Sequence, residues 1–355
     1  MKIKKDDIII DVLKNIAPGT NIREGLDNIL KAKTGGLVVI GDSKEVMDIV
    51  DGGFKIDVEY TPARLYELAK MDGAIVLNKE MKRILFANTQ LIPSAEVPTS
   101  ETGTRHRTAE RTARQTGELV ISISQRRNII TIYKGDSRYV LEETSKVITK
   151  ANQALQTVEK YKKVFDDKLK ILNEYEFNDI VTLQNVITVI QRAEMVMRMV
   201  EEVQKCIYEL GEEGILIEMQ LEELIGDLEK EELLIIKDYS IDEEKKEHEI
   251  LEEIKQIQYE EISKNGLIAK LLGYDSSEKI EELMVYTRGY RLISKIPRMP
   301  NNIVDNLINS FESFQAILNA DIETLDEVEG IGEVRAKSIK KSLRRMEEQF
   351  LFEKF

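Results

Sequence analysis

Short apolar runs separated by polar turns dominate residues 1–141. Each run is rich in β-branched residues, which is typical of β-strands. The runs lie at 37–40, 74–77, 84–87, 119–124 and 128–133, and a hairpin partner is expected at 137–142 after Gly135-Asp136. Between them, 62–70 has a helical pattern that opens with Thr61 as a candidate N-cap and Pro62 at the first helical position. The pattern predicts an α/β domain with a mixed central sheet.

From residue 142 the pattern changes to a single apolar stripe with helical spacing. The stripe consists of Val147, Ala151, Leu155, Val158, Tyr161, Phe165, Leu169, Leu172 and Tyr175. A second helix is expected over 179–209, a break at 211–214, and a third helix from 215. The strongly charged stretch 242–249 is expected to be solvated. Residues 142–284 therefore predict an all-α spine.

Glycine and proline return from about residue 285, which indicates a compact third domain over 285–355. Its clearest pattern is L-x-x-V-x-G-I-G-x-x-x-A-x-x-I, which starts at Leu325. The pattern predicts a helix-hairpin-helix with a tight Gly-Ile-Gly turn. The segment 296–300 upstream is a candidate first hairpin of a tandem pair, but it lacks the glycines. We expect that first hairpin to pack more than it binds.

Composition narrows the class of protein. The chain has 355 residues, 42% of them hydrophobic, which fits two or three folded domains. The net charge of −14 argues against a protein that coats nucleic acid through bulk charge, although a local basic patch is compatible with it. The single cysteine, Cys206, excludes a disulfide within the chain and is expected to be a buried thiol. We find no secretion signal and no apolar run of transmembrane length, so we expect a cytoplasmic protein with no membrane partner.

The most chemically distinctive stretch is G-T-R-H-R-T at 103–108. Arginine forks bind phosphate oxygens in pairs, and hydroxyl and backbone N–H groups can complete the site. The stretch therefore predicts a polyphosphate clamp, although an exposed basic loop or helix start is the simpler interpretation. His106 stands between Arg105 and Arg107, which disfavours its charged form. A catalytic base, a phosphate donor and a structural hydrogen-bonding group are the open roles, and we favour a neutral imidazole that positions a ligand over one that transfers a proton.

Asp72-Gly73 precedes a predicted strand and is the second candidate site. A carboxylate there could hold a divalent metal while the glycine lets the backbone approach a ligand. By itself the pair is more typical of an ordinary turn. Together with the clamp, it predicts a metal carboxylate and a phosphate site on one sheet, as in nucleotidyl transfer. The chain has neither a P-loop sequence nor a G-x-G-x-x-G sequence.

The C-terminal hairpin is the third candidate site. Backbone N–H groups at Gly330, Ile331 and Gly332 would form an anion site at the start of a helix. One acidic residue, Glu333, lies within 331–345. The same stretch contains six basic residues: Arg335, Lys337, Lys340, Lys341, Arg344 and Arg345. This pattern predicts DNA binding through phosphates, independent of sequence and sensitive to salt. A hairpin used only for packing is the alternative.

The D-G-A sequence at 72–74, the R-H-R clamp and the G-I-G hairpin occur in an order that resembles the DNA integrity scanning family of diadenylate cyclases. The resemblance covers essentially the whole chain and implies a cyclase domain, a helical spine and a helix-hairpin-helix domain. It implies that two ATP molecules condense to cyclic di-AMP and release two pyrophosphates. Two cyclase domains would face each other, each holding one ATP, within a homo-octamer.

The resemblance also implies roles for particular residues. Asp72 would bind Mg²⁺ or Mn²⁺, Gly73 would let the backbone approach the nucleotide, and Leu91 would meet the adenine through its backbone and apolar body. The phosphates would be held by Thr104, Arg105, His106, Arg107 and Thr108, with Ser124 as a further contact. Gln125 stands where some members have arginine, which leaves one phosphate contact open.

On the DNA side, the resemblance implies that Gly330, Ile331, Gly332, Arg335 and Lys337 contact branched or damaged DNA, which would regulate the cyclase. A DNA-binding scaffold that only senses ATP and has no cyclase activity is the alternative.

Overall fold

The structure is a computed structural model that describes residues 10–242, 244–275, 279–311 and 313–352. The chain divides into two compact units, one ending at Ala154 with 202–220 added, the other formed by 155–201 and 221 onward. All three boundaries between these segments fall inside helices. The sequence pattern instead divides the chain at 141 and 284, and that division into domains stays a prediction.

Within the described part of the first unit, eight strands form one mixed sheet in the order β2-β5-β4-β1-β6-β7-β8, with β3 paired to β5. Strands β1 and β4 run parallel, and the other pairs are antiparallel. The strands are β1 (Gly36–Ile40), β2 (Val50–Asp51), β3 (Phe54–Glu59), β4 (Ala74–Leu77), β5 (Arg83–Leu91), β6 (Leu119–Ser124), β7 (Ile129–Lys134) and β8 (Ser137–Leu141).

The five predicted strands and the hairpin partner β8 are confirmed, and β2 and β3 are additional. The apolar-run criterion missed β3 because its apolar residues alternate with polar ones: Phe54, Ile56 and Val58 occupy every second position. Alternation of this kind is the signature of a half-exposed strand, so the signal for β3 was present in the sequence. The two-residue β2 is too short to leave such a signal.

Helices cover both faces of the sheet. One face packs against α1 (residues 10–15), α2 (Asn21–Lys31) and α4 (Pro62–Leu68). The other packs against α3 (Lys44–Met47) and α5 (Thr104–Thr116), through Val46, Ala109 and Ala113. The predicted start of α4 is confirmed, because the Thr61 hydroxyl accepts a hydrogen bond from the Arg64 N–H at 3.2 Å.

The helical region begins with α6 (Thr144–Asn178) and α7 (Leu183–Leu210). Every residue of the predicted stripe on α6 is buried or half-buried, which confirms the stripe as a packing face. The predicted break at 211–214 is a 3₁₀ turn (Gly211–Gly214), where Gly211 has a φ of 54°. The remaining helices here are α8 (Ile215–Ile225), α9 (Leu228–Tyr239), α10 (Glu247–Lys255) and α11 (Asn265–Leu271). Among the described residues, no helix is both long and apolar enough to cross a membrane.

The C-terminal region contains two helix-hairpin-helix motifs that share one core. The first joins α12 (Tyr290–Ser294) to α13 (Asn301–Ser310), and the second joins α15 (Ile322–Asp326) to α16 (Glu333–Phe352); α14 (Phe314–Asn319) lies between them. The tandem arrangement that the sequence suggested is therefore present, with the same backbone turn built from different residues.

Candidate functional site

The sheet pairings bring several predicted site residues to one edge. Asp72 lies just before β4, and the parallel strand β1 starts at the same edge. The antiparallel partners end there, because Gly36 of β1 pairs with Ile123 near the end of β6, and Ala74 of β4 pairs with Thr89 near the end of β5. Asp72, Leu91 and Ser124 therefore lie at one edge of the sheet although they are far apart in sequence.

Gly73 is more than a turn glycine. Its φ is 107°, and a β-carbon there would lie 2.8 Å from the carbonyl carbon of Asn88 and 2.9 Å from the Thr89 oxygen. Two backbones therefore approach each other at the start of β4, in a conformation that only glycine adopts without strain. This contact fixes the exposed Asp72 at the edge, which a simple Asp-Gly turn would not do.

The clamp is the start of a helix. Gly103 is the N-cap of α5, Thr104 is its first residue, and the first turn contains no acidic side chain. The Arg107 N–H already donates to the Gly103 carbonyl at 2.8 Å, which leaves the earlier N–H groups at the end of the helix dipole. A helix of this length with a glycine cap and arginines in its first turn suits an anion such as a phosphate.

The five clamp residues differ in exposure. Thr104 and Arg107 are exposed, and Thr108 is half-buried. Arg105 turns toward the sheet edge, where its Nη1 donates to the Ile123 carbonyl at 3.5 Å and its guanidinium covers Gly35. A side chain at Gly35 would occupy the space of that guanidinium. Arg105 thus connects the clamp to the edge that carries Asp72.

His106 is buried and forms part of a hydrogen-bonded chain. Its Nδ1 lies 3.1 Å from the Tyr133 hydroxyl, which donates to Glu101 Oε1 at 2.9 Å. Arg138 Nε donates to the same carboxylate oxygen at 2.7 Å. Sequence reasoning missed Glu101, Tyr133 and Arg138. Tyr133 and Arg138 pair across the β7–β8 hairpin, but nothing in a single sequence pairs them with Glu101, which lies 32 and 37 positions away on a loop.

Burial lowers the pKa of His106, and Arg127, Arg138 and Arg105 lower it further against the opposing effect of Glu101. The prediction of a neutral imidazole agrees with this direction, but the main cause is burial rather than the flanking arginines. Burial raises the pKa of Glu101, yet hydrogen bonds from Arg138 and Tyr133 outweigh it and keep the carboxyl pKa below its usual value.

The connection from β5 to α5 is held by α5 itself. Glu110 accepts hydrogen bonds from the Thr99 hydroxyl at 2.5 Å and the Ser100 N–H at 3.0 Å. Arg111 donates to the Val97 carbonyl and Arg114 to the Pro98 carbonyl, and the Gln115 side-chain oxygen accepts from the Ser94 N–H. The loop that precedes the clamp is therefore fixed by the second and third turns of the same helix.

Of the remaining predicted residues, Leu91 can contribute less than the sequence suggested. Leu91 is only 6% exposed, and its side chain packs in the core with Val39 and Val76, so its backbone is what remains to meet a base. The Ser124 hydroxyl accepts from the Arg127 N–H at 3.2 Å, which leaves its proton free for a ligand. Gln125 is exposed in the turn after β6, beside Arg126 and Arg127.

No group of three or more His, Cys, Asp or Glu side chains arranged to hold a metal occurs among the described residues. If Asp72 held a metal, the other ligands would have to come from phosphates and water. Mg²⁺ is commonly bound in this way, through one or two carboxylates and the phosphates of a nucleotide. The exposed carboxylate at the sheet edge fits that mode.

The C-terminal turn has two glycines with different roles. Gly330 has a φ of 82° and packs against Ile303, whereas a β-carbon on Gly332 would meet only Asp326 Oδ1, at 4.0 Å. Ile331 is buried and its N–H donates to the Val328 carbonyl at 2.9 Å, so it shapes the turn rather than offering a group to DNA.

The basic side chains of α16 vary in their contacts. Arg335 donates to the Gly330 carbonyl and Lys337 pairs with Glu333, so both are partly engaged within the turn. Lys340 donates to the Leu318 carbonyl at 2.7 Å, and Arg344 pairs with Glu348 at 3.1 Å. Lys341 and Arg345 are exposed on the same helix. All six basic residues that the sequence pattern contains therefore lie on α16, and four of them make hydrogen bonds or ion pairs within the chain.

Three family models match the chain in succession. Residues 23–138 match the model described as DisA bacterial checkpoint controller nucleotide-binding, and 141–281 match the DisA bacterial checkpoint controller linker region. Residues 290–345 match the SAM-like helix-hairpin-helix tandem.

Curated relatives match over nearly the full length, and each is named DNA integrity scanning protein DisA. The protein of Acetivibrio thermocellus is 55% identical over 99% of this chain and 97% of its own. That of Clostridium botulinum strain Loch Maree is 52% identical over the whole of both chains. That of Clostridioides difficile strain 630 is 55% identical over 96% of each.

Two solved structures align with part of the chain. A hypothetical membrane spanning protein from Bacillus cereus is 19% identical, with a TM-score of 0.31 over 35% of this chain and 62% of its own. DacA from Staphylococcus aureus is 18% identical, with a TM-score of 0.30 over 39% of this chain and 90% of its own.

Proposed function

Because the chain belongs to the family of DNA integrity scanning proteins DisA, we propose that it condenses two ATP molecules to cyclic di-AMP and releases two pyrophosphates. The observation that carries this proposal is the sheet edge. It places an exposed carboxylate, Asp72, on the same edge to which Arg105 and the start of α5 are attached. A metal carboxylate beside a phosphate-binding helix start is the equipment of nucleotidyl transfer.

We assign the phosphates to the first turn of α5. Thr104 and Arg107 are exposed and free to meet the substrate, and Arg105 reaches it from the sheet edge. Gly73 would let the protein backbone approach the nucleotide closely. Ser124 would donate its proton to a phosphate oxygen. Asp72 would hold Mg²⁺ or Mn²⁺, which supplies charge neutralisation at the phosphates when bound. The chain's own contribution is positioning and electrostatic stabilisation.

One domain cannot close the ring alone. Each ribose 3′-hydroxyl must attack the α-phosphate of the other ATP, so two sites have to face each other across a two-fold axis. We propose that the chain works as a homo-oligomer whose minimal active unit is this dimer, and that the octamer of the family applies here. We place the reaction in the cytoplasm, where both ATP and DNA are available.

The direct test is the reaction itself. The full-length protein is incubated with ATP and Mg²⁺ or Mn²⁺, and cyclic di-AMP is identified by mass spectrometry. We expect cyclic di-AMP from the wild type and a loss of about 10³-fold or more from Asp72→Asn, which removes the metal carboxylate. An intact protein that binds ATP yet forms no cyclic product would contradict the enzyme and favour the ATP-sensing scaffold.

We further propose that the tandem hairpins bind branched or damaged DNA through phosphates and regulate the cyclase. Support comes from the basic residues of α16 and the helix-hairpin-helix match. Gly332→Leu is the cleanest probe, because a β-carbon there meets only the edge of Asp326 within the chain, while the longer side chain would stand between the turn and a DNA phosphate. We expect its affinity for a branched DNA to fall about tenfold or more at low salt.

The charge contribution can be measured separately. Lys341→Glu with Arg345→Glu should weaken binding equally for different DNA sequences, and the salt slope should fall by about 1 for each phosphate that is no longer neutralised. Thermal unfolding of each variant shows whether the domain is still folded. Unchanged binding by both Gly332→Leu and the double variant would place the DNA site elsewhere.

A further inference from the structure

The buried hydrogen bonds around His106 determine which nitrogen of its ring carries the proton, as well as where the ring lies. Glu101 accepts two hydrogen bonds at Oε1, one from Tyr133 and one from Arg138, and its side chain is 9% exposed. Tyr133 is 1% exposed and His106 is 9% exposed, so water has little access to the contacts between them. Each of the three groups must therefore satisfy its hydrogen bonds largely within the chain.

Counting protons assigns the direction of each bond. An ionised carboxylate can only accept, so the single proton of the Tyr133 hydroxyl is donated to Glu101. The Tyr133 oxygen can then only accept at its contact with His106, 3.1 Å away, and the proton on that bond has to belong to His106 Nδ1. If Tyr133 donated its proton to His106 instead, the Tyr133 oxygen and the Glu101 carboxylate would face each other with lone pairs only. The Glu101 carboxyl has a lowered pKa and the Tyr133 hydroxyl has a raised pKa, which supports the assignment.

The other ring nitrogen is left with a lone pair and no partner. His106 Nε2 is buried and has no hydrogen-bond partner among the described residues. A buried acceptor without a partner loses the hydrogen bonds that it made to water in the unfolded chain, and a bound ligand could restore one of them. A neutral ring with its proton on Nδ1 cannot donate from Nε2 to a phosphate oxygen, so the sequence-based expectation of His106 as a phosphate donor does not fit these contacts.

We propose that Glu101, acting through Tyr133, is a positioning residue that fixes His106 as the Nδ1–H tautomer and so makes Nε2 a hydrogen-bond acceptor for the substrate. The proposal rests on the proposed function, because ATP is the substrate meant. The hydrogen-bond donors that ATP carries are its ribose hydroxyls and its adenine amino group, and one of these would meet Nε2. Arg138 contributes by holding the Glu101 carboxylate ionised.

The tautomer can be measured directly because the chain has only two histidines, His106 and His248. Protein labelled with ¹⁵N at histidine alone is sedimented and studied by solid-state NMR, in which protonated and unprotonated ring nitrogens give separate signals. His248 lies on α10 and serves as the internal reference, and His248→Gln assigns its signals. We expect a proton on Nδ1 of His106 in the wild type. A proton on Nε2 would overturn the proposal.

Tyr133→Phe tests whether Glu101 sets the tautomer of His106 through the Tyr133 hydroxyl, since the variant keeps the buried ring and removes only that hydroxyl. We expect the proton of His106 to move toward Nε2, which is the commoner form of a free neutral imidazole. Glu101→Gln should give a mixture of both tautomers, because the amide can either accept from Tyr133 or donate to it. If the Nδ1–H form persists unchanged in Tyr133→Phe, Glu101 and Tyr133 do not act as positioning residues.

A non-hydrolysable ATP analogue separates this inference from the proposed function. Saturating analogue should shift the Nε2 signal of His106 and leave that of His248 unchanged, whereas bound analogue with no shift would refute contact between Nε2 and substrate. In the cyclase assay, Tyr133→Phe should lower kcat about 10- to 100-fold with little change in KM. If no variant and no wild type makes cyclic di-AMP while the NMR results hold, the cyclase proposal fails and the tautomer assignment stands.

Discussion

Gly73 combines a φ of 107° with a backbone contact to Asn88 and Thr89, and this contact fixes the residue before it. Asp72 can act as a metal ligand only if the start of β4 stays in place. The sequence marked the Asp-Gly pair as either a turn or a site. The structure supports a close backbone approach, which a single sequence cannot distinguish from a turn.

Gly73→Ala should therefore destabilise the first unit by more than strain alone. A positive φ costs an L-residue about 1–2 kcal/mol, and the overlap with the Asn88 backbone adds to this. Gly52→Ala is a matched control, because Gly52 has a φ of 61° and nothing within 4 Å of an added β-carbon. Chemical denaturation should show a larger loss of unfolding free energy for Gly73→Ala. Equal losses would mean that the backbone contact is unimportant.

Arg298 is a non-glycine residue in the left-handed region, with a φ of 60°. It occupies the place in the first hairpin turn that Gly330 occupies in the second. In both turns the carbonyl two positions later, that of Pro300 or Gly332, accepts the first N–H bonds of the helix that follows. The sequence suggested a first hairpin without glycines, and the structure shows that arginine adopts the conformation glycine would supply.

Arg298→Gly should raise the free energy of unfolding by about 1 kcal/mol, because it relieves the left-handed strain of an L-residue. Arg298→Ala removes the charge and keeps the strain, so it should not stabilise the protein. Urea denaturation of both variants checks this, and a Gly variant no more stable than the Ala variant would contradict it. The same pair in a DNA-binding assay shows whether the arginine charge contributes to binding.

At the scale of the elements, apolar runs and helical stripes located most of the fold. They predicted five strands, the β7–β8 hairpin, α4 with its Thr61 cap and the long packing face of α6. They missed β3, whose alternating pattern is a different signal. They also could not show that α5 holds its own preceding loop through Glu110, because such contacts depend on how the chain folds back.

The helices of the second unit bury several carboxyl groups, and two of them, Glu232 and Glu194, lack hydrogen-bond partners for at least one oxygen among the described residues. Glu232 on α9 is fully buried, and neither of its oxygens has a hydrogen-bond partner among the described residues. Glu194 on α7 is 2% exposed and pairs with Arg198 at 2.6 Å through one oxygen only. Burial, with the nearby Glu194 second, raises the pKa of Glu232 well above its usual value. Burial also raises the pKa of Glu194, against the lowering effect of Arg198.

Folding raises the pKa of the Glu232 carboxyl, so its contribution to the free energy of unfolding depends on pH. The contribution is fully present below the ordinary pKa of the carboxyl and is lost as the pH rises through the raised pKa. Glu232→Gln replaces the carboxyl with a neutral amide and removes that loss. We expect the variant to be more stable than wild type at pH 8, by about 1 kcal/mol or more, and to show a smaller difference at pH 5.

Thermal unfolding at the two pH values measures this effect. Glu223→Gln, which changes an exposed glutamate on α8, controls for the loss of one negative charge. A Glu232→Gln variant that gains no more stability at pH 8 than at pH 5 would show that the buried carboxyl does not titrate in this range.

At the scale of the whole molecule, the site at the sheet edge is one of the two half-sites that the proposed reaction needs. The sequence predicted the order of cyclase, spine and hairpin regions, and the three family matches follow that order. It could not reveal the chain of hydrogen bonds from His106 to Arg138, because those contacts join a loop, a helix and two strands. In the reaction we propose, Asp72 and the clamp of one chain act together with those of a second chain.

That pairing is tested most directly by mixed oligomers. Wild type and Asp72→Asn chains, each with its own affinity tag, are co-expressed at several ratios, and the composition of each purified sample is measured by mass spectrometry. If both half-sites must be active to close the ring, the rate of cyclic di-AMP formation falls as the square of the wild-type fraction, to about one quarter at equal amounts. A rate that falls in simple proportion to the wild-type fraction would contradict the account, because each chain would then complete the reaction alone.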